Sequence, residues 1–440
     1  MKTPICAFLQ KYASDDNLRL HMPGHKGIGE VERFDLTEIE GADSLYEASG
    51  IIKESEQIAS SLFGSYTLYS TEGSSLAIRA MLYLAMLSGK SDTRPVVLAG
   101  RNAHKVFVSA AALLDFDVEW LVGGESYLES RITPEAVDKT IATMQNPPVA
   151  VYITSPDYLG NTADISGIAR VCKKHGVLLL VDNAHGAYLA FTEPSLHPIA
   201  LGADMCADSA HKTLPAFTGT AYLHIGESVP QEIRERAKAA MALFGSTSPS
   251  YLLLASLDKV NAYIADGYEK KLGIFTKKLT EIRKKLTAIG YEVVGDEPMK
   301  LTVMPKSYGY TGYELAKHLE KRRIVPEFCD DDYLVLMPTP QITDEELARL
   351  EDALISLEKK ASVSTLPPAL SLPPKAITPR AAILSVAERI PVDEAQGRIL
   401  ADITVGCPPA VPIVVSGEVI TREAIDAFKY YGIDTCSVVK

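Results

Sequence analysis

The most constraining feature of this sequence is the alternation of short apolar runs with helical stretches between residues 55 and 225. The runs are four or five residues long and rich in Val, Leu and Ile, as is typical of strands buried on both faces. Strands separated by helices predict an α/β domain with a mainly parallel sheet, whose ligands bind beyond the carboxyl ends of the strands. The predicted strands are 96–99, 118–122, 149–153, 177–181 and 220–224.

A second pattern follows the sheet region. Residues 255–289 read as one long helix rich in Lys and Glu, and shorter strand and helix patterns continue to residue 359. Prolines then cluster and read as a linker. We therefore predict five parts: an N-terminal segment, a large domain, a small α+β domain, a Pro-rich linker and a short C-terminal domain, over 1–40, 41–264, 265–364, 365–379 and 380–440.

Composition excludes several classes of protein. The 44 Lys and Arg residues are outnumbered by 56 Asp and Glu, and a net charge of −12 argues against a nucleic-acid partner. No apolar stretch is long enough to span a membrane, and the first residues lack the apolar core of a signal peptide. The six cysteines form no CxxC pair, so we expect no metal site and a reducing, cytoplasmic location.

Two loops carry groups suited to binding an anion and a ring nitrogen, and the second of them follows a predicted strand. Residues 70–75, Ser-Thr-Glu-Gly-Ser-Ser, lead into a helix whose N-terminus favours a phosphate, although an ordinary helix cap is an equally simple interpretation. Asp182 ends the most apolar strand, where a carboxylate can hold a ring nitrogen protonated, or can merely cap a turn.

Two further loops carry a lysine and a histidine. Lys212 lies within Asp-Ser-Ala-His-Lys-Thr, 30 residues after Asp182; lysine forms Schiff bases, although most loop lysines are simply solvated. His104 follows the strand at 96–99 and could lie over an aromatic ring, or could be a surface histidine. In their order along an α/β sheet, the four loops match what pyridoxal 5′-phosphate requires.

The sequence also resembles, over nearly its whole length, the prokaryotic ornithine/lysine/arginine decarboxylases, a family of fold-type-I pyridoxal-phosphate enzymes. His-Met-Pro-Gly-His-Lys-Gly at 21–27 is similar to the family's PGH signature, and the lysine motif at 209–212 is similar to that of the family. Further similar blocks lie at 43–45, 50–56, 246–251, 408–412 and 417–418. Two positions depart from the family pattern: Glu72 replaces a common Asn, and Ser416 replaces a Pro before Gly417.

The resemblance implies a role for each matching residue. Lys212 would hold the cofactor covalently, Asp182 would pair with its ring nitrogen, and His104 would stack on its ring. Lys212 or His211 would return a proton to Cα. The phosphate would be bound by Gly73, Ser74, Ser75, Ser209 and His211, while Ala184 would pack under the ring and His185 would lie near the substrate. Substrate-binding candidates are His25, Asp43 and Glu418.

The implied reaction is decarboxylation of a basic amino acid to its amine and CO2, in polyamine metabolism. Arginine is favoured over lysine and ornithine, because the compact architecture resembles biosynthetic arginine decarboxylases. The resemblance also implies a homodimer, or a dimer of dimers, with the active site at the subunit interface.

Two other functions remain open from the sequence. A fold-type-I aminotransferase would be expected to carry an Arg on a small-domain strand that clamps the α-carboxylate, and the strand pattern at 333–337 has none. A non-catalytic binding protein with the same fold would be expected to have lost Lys212 or Asp182, and both are present.

Overall fold

The computed structural model describes residues 1–89, 94–123, 131–407 and 411–440. Within these residues the largest sheet has seven strands in the order β1-β7-β6-β5-β4-β2-β3. The strands are β1 Tyr66–Ser70, β2 Val96–Gly100, β3 Asp117–Leu121, β4 Ala150–Thr154, β5 Leu178–Asp182, β6 Met205–Asp208 and β7 Ala221–Ile225. The prediction of a large, mainly parallel α/β sheet is therefore confirmed, and each predicted strand lies within two residues of an observed one.

The chain divides into two compact units. The first comprises Met1–Asp92, Val149–Tyr152 and Ile165–Lys271; the second comprises Thr93–Pro148, Ile153–Asp164 and Leu272–Lys440. The helices up to residue 289 are α1 Pro4–Ser14, α2 Ile51–Phe63, α3 Gly73–Leu87, α4 Lys105–Leu114, α5 Pro134–Thr143, α6 Ile165–His175, α7 Ala210–Thr213, α8 Gln231–Arg234, α9 Ala237–Phe244, α10 Tyr251–Ala265 and α11 Tyr268–Ile289.

In the first unit, β5 and β6 are parallel, whereas β7 runs antiparallel to both β6 and β1. The connection between β6 and β7 holds only the single-turn helix α7. A parallel neighbour needs a long crossover, usually through a full helix, so this connection returns the chain in the opposite direction. The helix α3 lies against β6 and β7 and is apolar on most of its surface, as expected of a buried helix.

The long helix predicted over 255–289 is instead two helices. The helix α10 ends at Ala265 and α11 begins at Tyr268. Gly267 between them has φ +71°, in the left-handed region that a helix cannot contain and that glycine adopts without strain. The helical periodicity was correct, but a single glycine breaks it.

The second unit contains a four-stranded antiparallel sheet in the order β10-β11-β9-β8 and two strand pairs, β12-β15 and β13-β14. Its last part has an apolar core that includes Val392, Ile413 and Phe428. The remaining elements are β8 Glu292–Val294, β9 Leu301–Met304, α12 Gly312–Glu320, β10 Phe328–Cys329, β11 Leu334–Leu336, α13 Asp344–Ile355, α14 Pro379–Ile383, β12 Ala387–Pro391, β13 Thr404–Cys407, β14 Val411–Val415, α15 Arg422–Tyr430 and β15 Thr435–Val439. Among all the described helices, none has the length and apolar character needed to cross a membrane.

Candidate active site

Lys212 lies on α7, one turn of helix that follows β6 directly. Ser209 is the N-cap residue of this turn. The Lys212 Nζ atom is 3.0 Å from Nε2 of His185, which lies in the loop after β5. An ammonium can only donate, so the imidazole nitrogen accepts when the lysine is charged. The contact places a primary amine, the group that forms Schiff bases, beside a side chain that can exchange its proton.

Asp182 is the last residue of β5 and is buried. The Tyr152 hydroxyl donates to its Oδ2 at 3.0 Å, and the Ala184 N–H donates to its Oδ1 at 3.2 Å. Burial, followed by the adjacent Asp182 charge, raises the pKa of Tyr152 well above its usual value. The phenol therefore keeps its proton and orients the carboxylate. The sequence analysis did not predict Tyr152; its hydroxyl within an otherwise apolar strand was the available signal, because a buried phenol needs a hydrogen-bond partner.

The predicted phosphate loop joins β1 to α3. Gly73, the first residue of α3, has φ +69°, and its N–H donates to the Gly219 carbonyl at 2.7 Å. The Ser209 hydroxyl donates to the Ser74 hydroxyl at 2.9 Å, so the lysine loop and the N-terminus of α3 meet. The first turn of a helix presents N–H groups without intrahelical acceptors, together with the positive end of the helix dipole.

Glu72, the residue that departs from the family pattern, is the N-cap of α3 but makes no side-chain cap hydrogen bond. Its Oε1 instead accepts the Ser246 N–H at 2.5 Å. The substitution therefore does not block the helix terminus with a carboxylate.

These residues fit pyridoxal 5′-phosphate. A Cβ added to Gly73 would meet no atom within 4 Å, so there is open space at the helix terminus. The hydroxyls of Ser74 and Ser209 lie at this terminus, and Ser75 is in the same turn. The donor set suits a phosphate, the amine of Lys212 suits an aldehyde, and the carboxylate of Asp182 suits a protonated ring nitrogen.

Two other predicted residues, His211 and Ala184, are the chain neighbours of Lys212 and His185. His211 Nδ1 is 2.8 Å from the Thr220 carbonyl oxygen; because a carbonyl only accepts, Nδ1 carries the hydrogen. Ala184 and His185 are both buried and form the turn that follows β5. Within the first unit the structure thus brings together Lys212 with His185 and Ser209 with Ser74.

His104 belongs to the second unit, and its role in ring stacking stays a prediction. It is the N-cap of α4, and its Nδ1 accepts the Val106 N–H at 3.3 Å. The ring is exposed within the described chain.

Glu418, a predicted substrate residue, has a partner in its own unit. Its two carboxylate oxygens accept from the Arg101 guanidinium at 2.6 Å and 2.8 Å, and Oε2 also accepts the Val415 N–H at 2.9 Å. Both charged side chains are almost completely buried, with 0% and 3% of their surface exposed. A carboxylate bound in this way is already neutralised, so we do not carry Glu418 forward as a substrate residue. Residues 408–410 of the predicted tail block at 408–412 lie outside the described residues.

Asp43 is also occupied by backbone groups. Its carboxylate accepts the N–H groups of Ser44, Ser49, Gly50, Ile52 and Lys53, which fixes the start of α2. Burial works against the charge, but these backbone donors outweigh it and lower the pKa of Asp43. Its backbone has φ +69°, a conformation that Asp adopts more readily than most residues.

His25, the third substrate candidate, has partners at both ring nitrogens. Its Nε2 is 3.2 Å from Asp35 Oδ2, and its Nδ1 accepts the Gly27 N–H at 2.9 Å. With Nδ1 as the acceptor, Nε2 carries the hydrogen and donates to the carboxylate. The described contacts therefore explain His25 as a residue that shapes the N-terminal segment.

Two polar residues adjacent to predicted ones escaped the sequence analysis. Asn183 follows Asp182, Asp208 precedes Ser209, and the Asn183 Nδ2 amide donates to Asp208 Oδ1 at 2.7 Å. Their position beside two candidate site residues was the only signal in the sequence, since the pairing depends on β5 and β6 being neighbours.

Comparison with known proteins finds two matching family domains along the chain. The model of the Orn/Lys/Arg decarboxylase major domain matches residues 3–294, and that of the Orn/Lys/Arg decarboxylase C-terminal domain matches residues 357–434. An arginine decarboxylase of Bacillus subtilis is 30% identical over 96% of this chain and 92% of its own length. An arginine decarboxylase of Halalkalibacterium halodurans is 29% identical over 96% of this chain and 91% of its own length.

The fold is also found among solved structures. A lysine decarboxylase of Francisella novicida superposes with a TM-score of 0.81 at 18% identity, covering 100% of this chain and 81% of that one. At this identity the likeness establishes the fold, and it agrees with a fold-type-I architecture.

Proposed function

Because the chain belongs to the Orn/Lys/Arg decarboxylase family and is a decarboxylase of basic amino acids, we propose that its substrate is arginine and that pyridoxal 5′-phosphate is held at Lys212. The arrangement that supports the cofactor proposal best is the Lys212 amine beside His185, with a phosphate-suited helix terminus joined to the same loop by Ser209 and Ser74. The choice of arginine rests on the similarity to arginine decarboxylases along the whole chain. The product would be the corresponding amine, which suits a role in polyamine metabolism.

When bound, pyridoxal 5′-phosphate supplies an electron-withdrawing ring that accepts the electron pair left on Cα as CO2 departs. The protein's part is to fix charges and protons around that centre. Asp182, oriented by the Tyr152 hydroxyl, would keep a proton on the ring nitrogen, where a preorganised negative charge stabilises the developing electron density. The helix terminus of α3 and the Ser74 and Ser209 hydroxyls would hold the phosphate.

Proton delivery would fall to Lys212 and to two histidines beside it, His185 in space and His211 in the chain. Lys212, once released by the substrate amine, would carry a proton to Cα, and His185 at 3.0 Å would exchange protons with its Nζ atom. His211 keeps its Nδ1 hydrogen on the Thr220 carbonyl, which leaves its Nε2 as the nitrogen that can face a phosphate or a proton.

We also propose a homodimer in the cytoplasm. The N-terminal segment exposes the side chains of Leu18, Leu20, Met22 and Ile28 by 66% to 85%, which favours burial against a second copy. Cys6, Cys172, Cys206, Cys329 and Cys436 are free thiols, which agrees with a reducing compartment. Light scattering on the purified protein would give the mass of two or four chains, whereas a monomeric mass would contradict the dimer.

The substrate is tested by measuring CO2 release from arginine, lysine and ornithine under the same conditions. We expect kcat/KM to be highest for arginine. Faster release from lysine or ornithine would overturn the choice of substrate, and no release from any of the three would overturn the proposed function. Amine transfer to a 2-oxo acid without CO2 would assign the chain to the aminotransferases.

A further inference from the structure

A completely buried polar cluster lies in the first unit, behind the loops that carry Asp182 and Lys212. It consists of His197, Asp208 and His224, which we call the His-Asp-His cluster, and each of these side chains is no more than 1% exposed. Their ligand-type atoms all lie within 4.8 Å of one another. Such a group either binds a metal ion or forms a hydrogen-bonded network, and the individual contacts distinguish the two.

The contacts favour a hydrogen-bonded network. His197 Nε2 lies 3.0 Å from Asp208 Oδ2, a normal hydrogen-bond distance, and the other carboxylate oxygen accepts the Asn183 amide at 2.7 Å. His224 Nε2 is 3.2 Å from Oδ2 but is not aligned for a hydrogen bond. On its other side, His224 Nδ1 contacts the Thr67 hydroxyl at 2.9 Å. Both oxygens of Asp208 are thus at hydrogen-bond distance from side-chain donors, Oδ2 from His197 and Oδ1 from Asn183.

The two histidines of the cluster stabilise the negative charge of Asp208. Burial alone would raise its pKa, but His197 and His224 outweigh that effect and lower it. Burial lowers the pKa of His224, with Asp208 opposing. The cluster therefore holds a carboxylate charge inside an apolar core that includes Phe63, whose ring packs against both imidazoles.

The position of Asp208 links this charge to the active site. Asp208 ends β6 and is followed by Ser209, and Asn183 follows Asp182 at the end of β5. The Asn183–Asp208 bond therefore joins the two strand ends from which Asp182 and the lysine loop extend, beside the backbone bond from Asn183 N–H to the Ala207 carbonyl at 3.0 Å. Gly186 is shaped to this arrangement, because a Cβ there would lie 2.0 Å from Asn183 Oδ1.

We propose that Asp208, clamped by His197 and Asn183, is a positioning residue that holds the lysine loop in register with Asp182. This role rests on the proposed function, since it concerns the geometry of the same site. A displacement of a reacting group by about 1 Å costs about 100-fold in rate. The Asn183–Asp208 hydrogen bond, which joins the ends of β5 and β6, therefore has a direct catalytic consequence.

The test compares Asp208→Asn and Asn183→Ser with a matched control, Asp258→Asn. Asp258 is also completely buried in the first unit and accepts the Ser55 hydroxyl at 2.6 Å and the Cys6 N–H at 3.0 Å, but it lies on α10, away from β5 and β6. Asp208→Asn keeps the side-chain size and removes the charge. Asn183→Ser removes the hydrogen bond between residues 183 and 208 but keeps the contact of Asp208 with His197. It therefore tests the role of that hydrogen bond even if Asp208→Asn does not fold.

Three readouts are measured on the full-length protein. We expect hydrogen exchange of residues 182–186 and 209–214 to become faster in both variants and to stay unchanged in the control. In the cofactor-loaded protein we expect kcat to fall about 10- to 100-fold with KM changed by less than about threefold. The pH midpoint of the cofactor absorbance is expected to move to lower pH in Asp208→Asn, because the negative charge that directly precedes the lysine loop has been removed.

Wild-type exchange rates, kcat and absorbance midpoint in both variants would overturn the positioning role. A stoichiometric metal ion in the purified protein, with chelation changing the same readouts, would overturn it in favour of a metal centre. Hydrogen exchange needs neither cofactor nor substrate, so it decides the positioning role even if wild-type protein releases no CO2. An absence of CO2 release would count only against the proposed function.

Discussion

The surroundings of Lys212 in the first unit and the Arg101–Glu418 pair in the second unit differ in how they treat a buried or half-buried cation. Arg101 faces a carboxylate with two hydrogen bonds, and both side chains are sealed from solvent. Lys212 is only half-buried and contacts an imidazole, a group that can take up a proton near neutral pH. The first arrangement pairs a buried cation with a counter-charge, and the second places a primary amine beside a group that can exchange protons with it.

The difference separates stability from reactivity. Removing a partner from a closed ion pair strands a charge in the core, so the loss falls on folding. Removing the amine beside His185 leaves the core intact, so the loss falls on chemistry. Substitution of Lys212 should therefore lower activity and leave stability almost unchanged, whereas substitution of Glu418 should mainly lower stability.

The largest effect is expected for Lys212→Ala. Because this lysine would hold the cofactor and carry the proton to Cα, we expect decarboxylation to fall by at least about a thousandfold. The melting temperature of the cofactor-free protein should change by less than about 2 °C, since Lys212 is only partly buried. CO2 release and calorimetry on the same preparation measure both quantities, and retained activity would remove Lys212 from the site.

Glu418→Ala should mainly lower the stability of the protein. The buried Arg101 would lose its counter-charge, and we expect the second unit to be destabilised by about 3–5 kcal/mol. Glu418→Gln is the matched control, because its amide oxygen still accepts one guanidinium bond, and it should lose less. Denaturant unfolding measures the stability of both variants. A loss below about 1 kcal/mol for Glu418→Ala would show that the ion pair is not sealed from solvent.

Glu297, another buried carboxyl group of the second unit, predicts a pH dependence of stability. Burial raises its pKa from 4.5 to about 7, with Lys300 opposing. The folded chain thus binds this proton more tightly than the unfolded chain, so its contribution to stability is lost as pH rises from about 4.5 to about 7. Glu297→Gln should remove this dependence and gain about 3 kcal/mol at pH 8 relative to pH 4. Equal effects at both pH values would contradict the raised pKa.

The smallest effect is expected at a solvent-exposed helix end. Thr343 and Glu346 form a capping box at the start of α13, with the Thr343 hydroxyl accepting the Glu346 N–H. Thr343→Ala should cost about 1 kcal/mol in the second unit and leave CO2 release unchanged. A change in kcat would show that this helix cap affects the reaction as well as stability, contrary to the prediction.

Much of the fold followed from local patterns. Apolar runs located five of the seven strands of the large sheet, and they placed Asp182 at the carboxyl end of one of them. Lys212 was expected in a loop, whereas it lies on the short helix α7 directly after β6, a strand that was not predicted. The antiparallel β7 and the break at Gly267 did not follow, since one depends on how the chain returns and the other on a single backbone conformation.

The pairings of polar groups were beyond the sequence. Arg101 and Glu418 are 317 residues apart, and nothing local indicated that the predicted substrate carboxylate would already be bound. Tyr152 is 30 residues from Asp182, and its hydroxyl matters only because the folded chain places it at that carboxylate. Residue types show what chemistry is possible, and tertiary contacts decide which groups remain available for it.

The central claim is that Lys212 is the attachment point of pyridoxal 5′-phosphate. The most direct measurement is borohydride reduction of the cofactor-loaded protein, followed by mass spectrometry of its peptides. We predict that the reduced cofactor mass will be found on the peptide containing Lys212, and that it will be absent from Lys212→Ala. The same mass on another lysine, or on none in protein that decarboxylates arginine, would contradict the assignment.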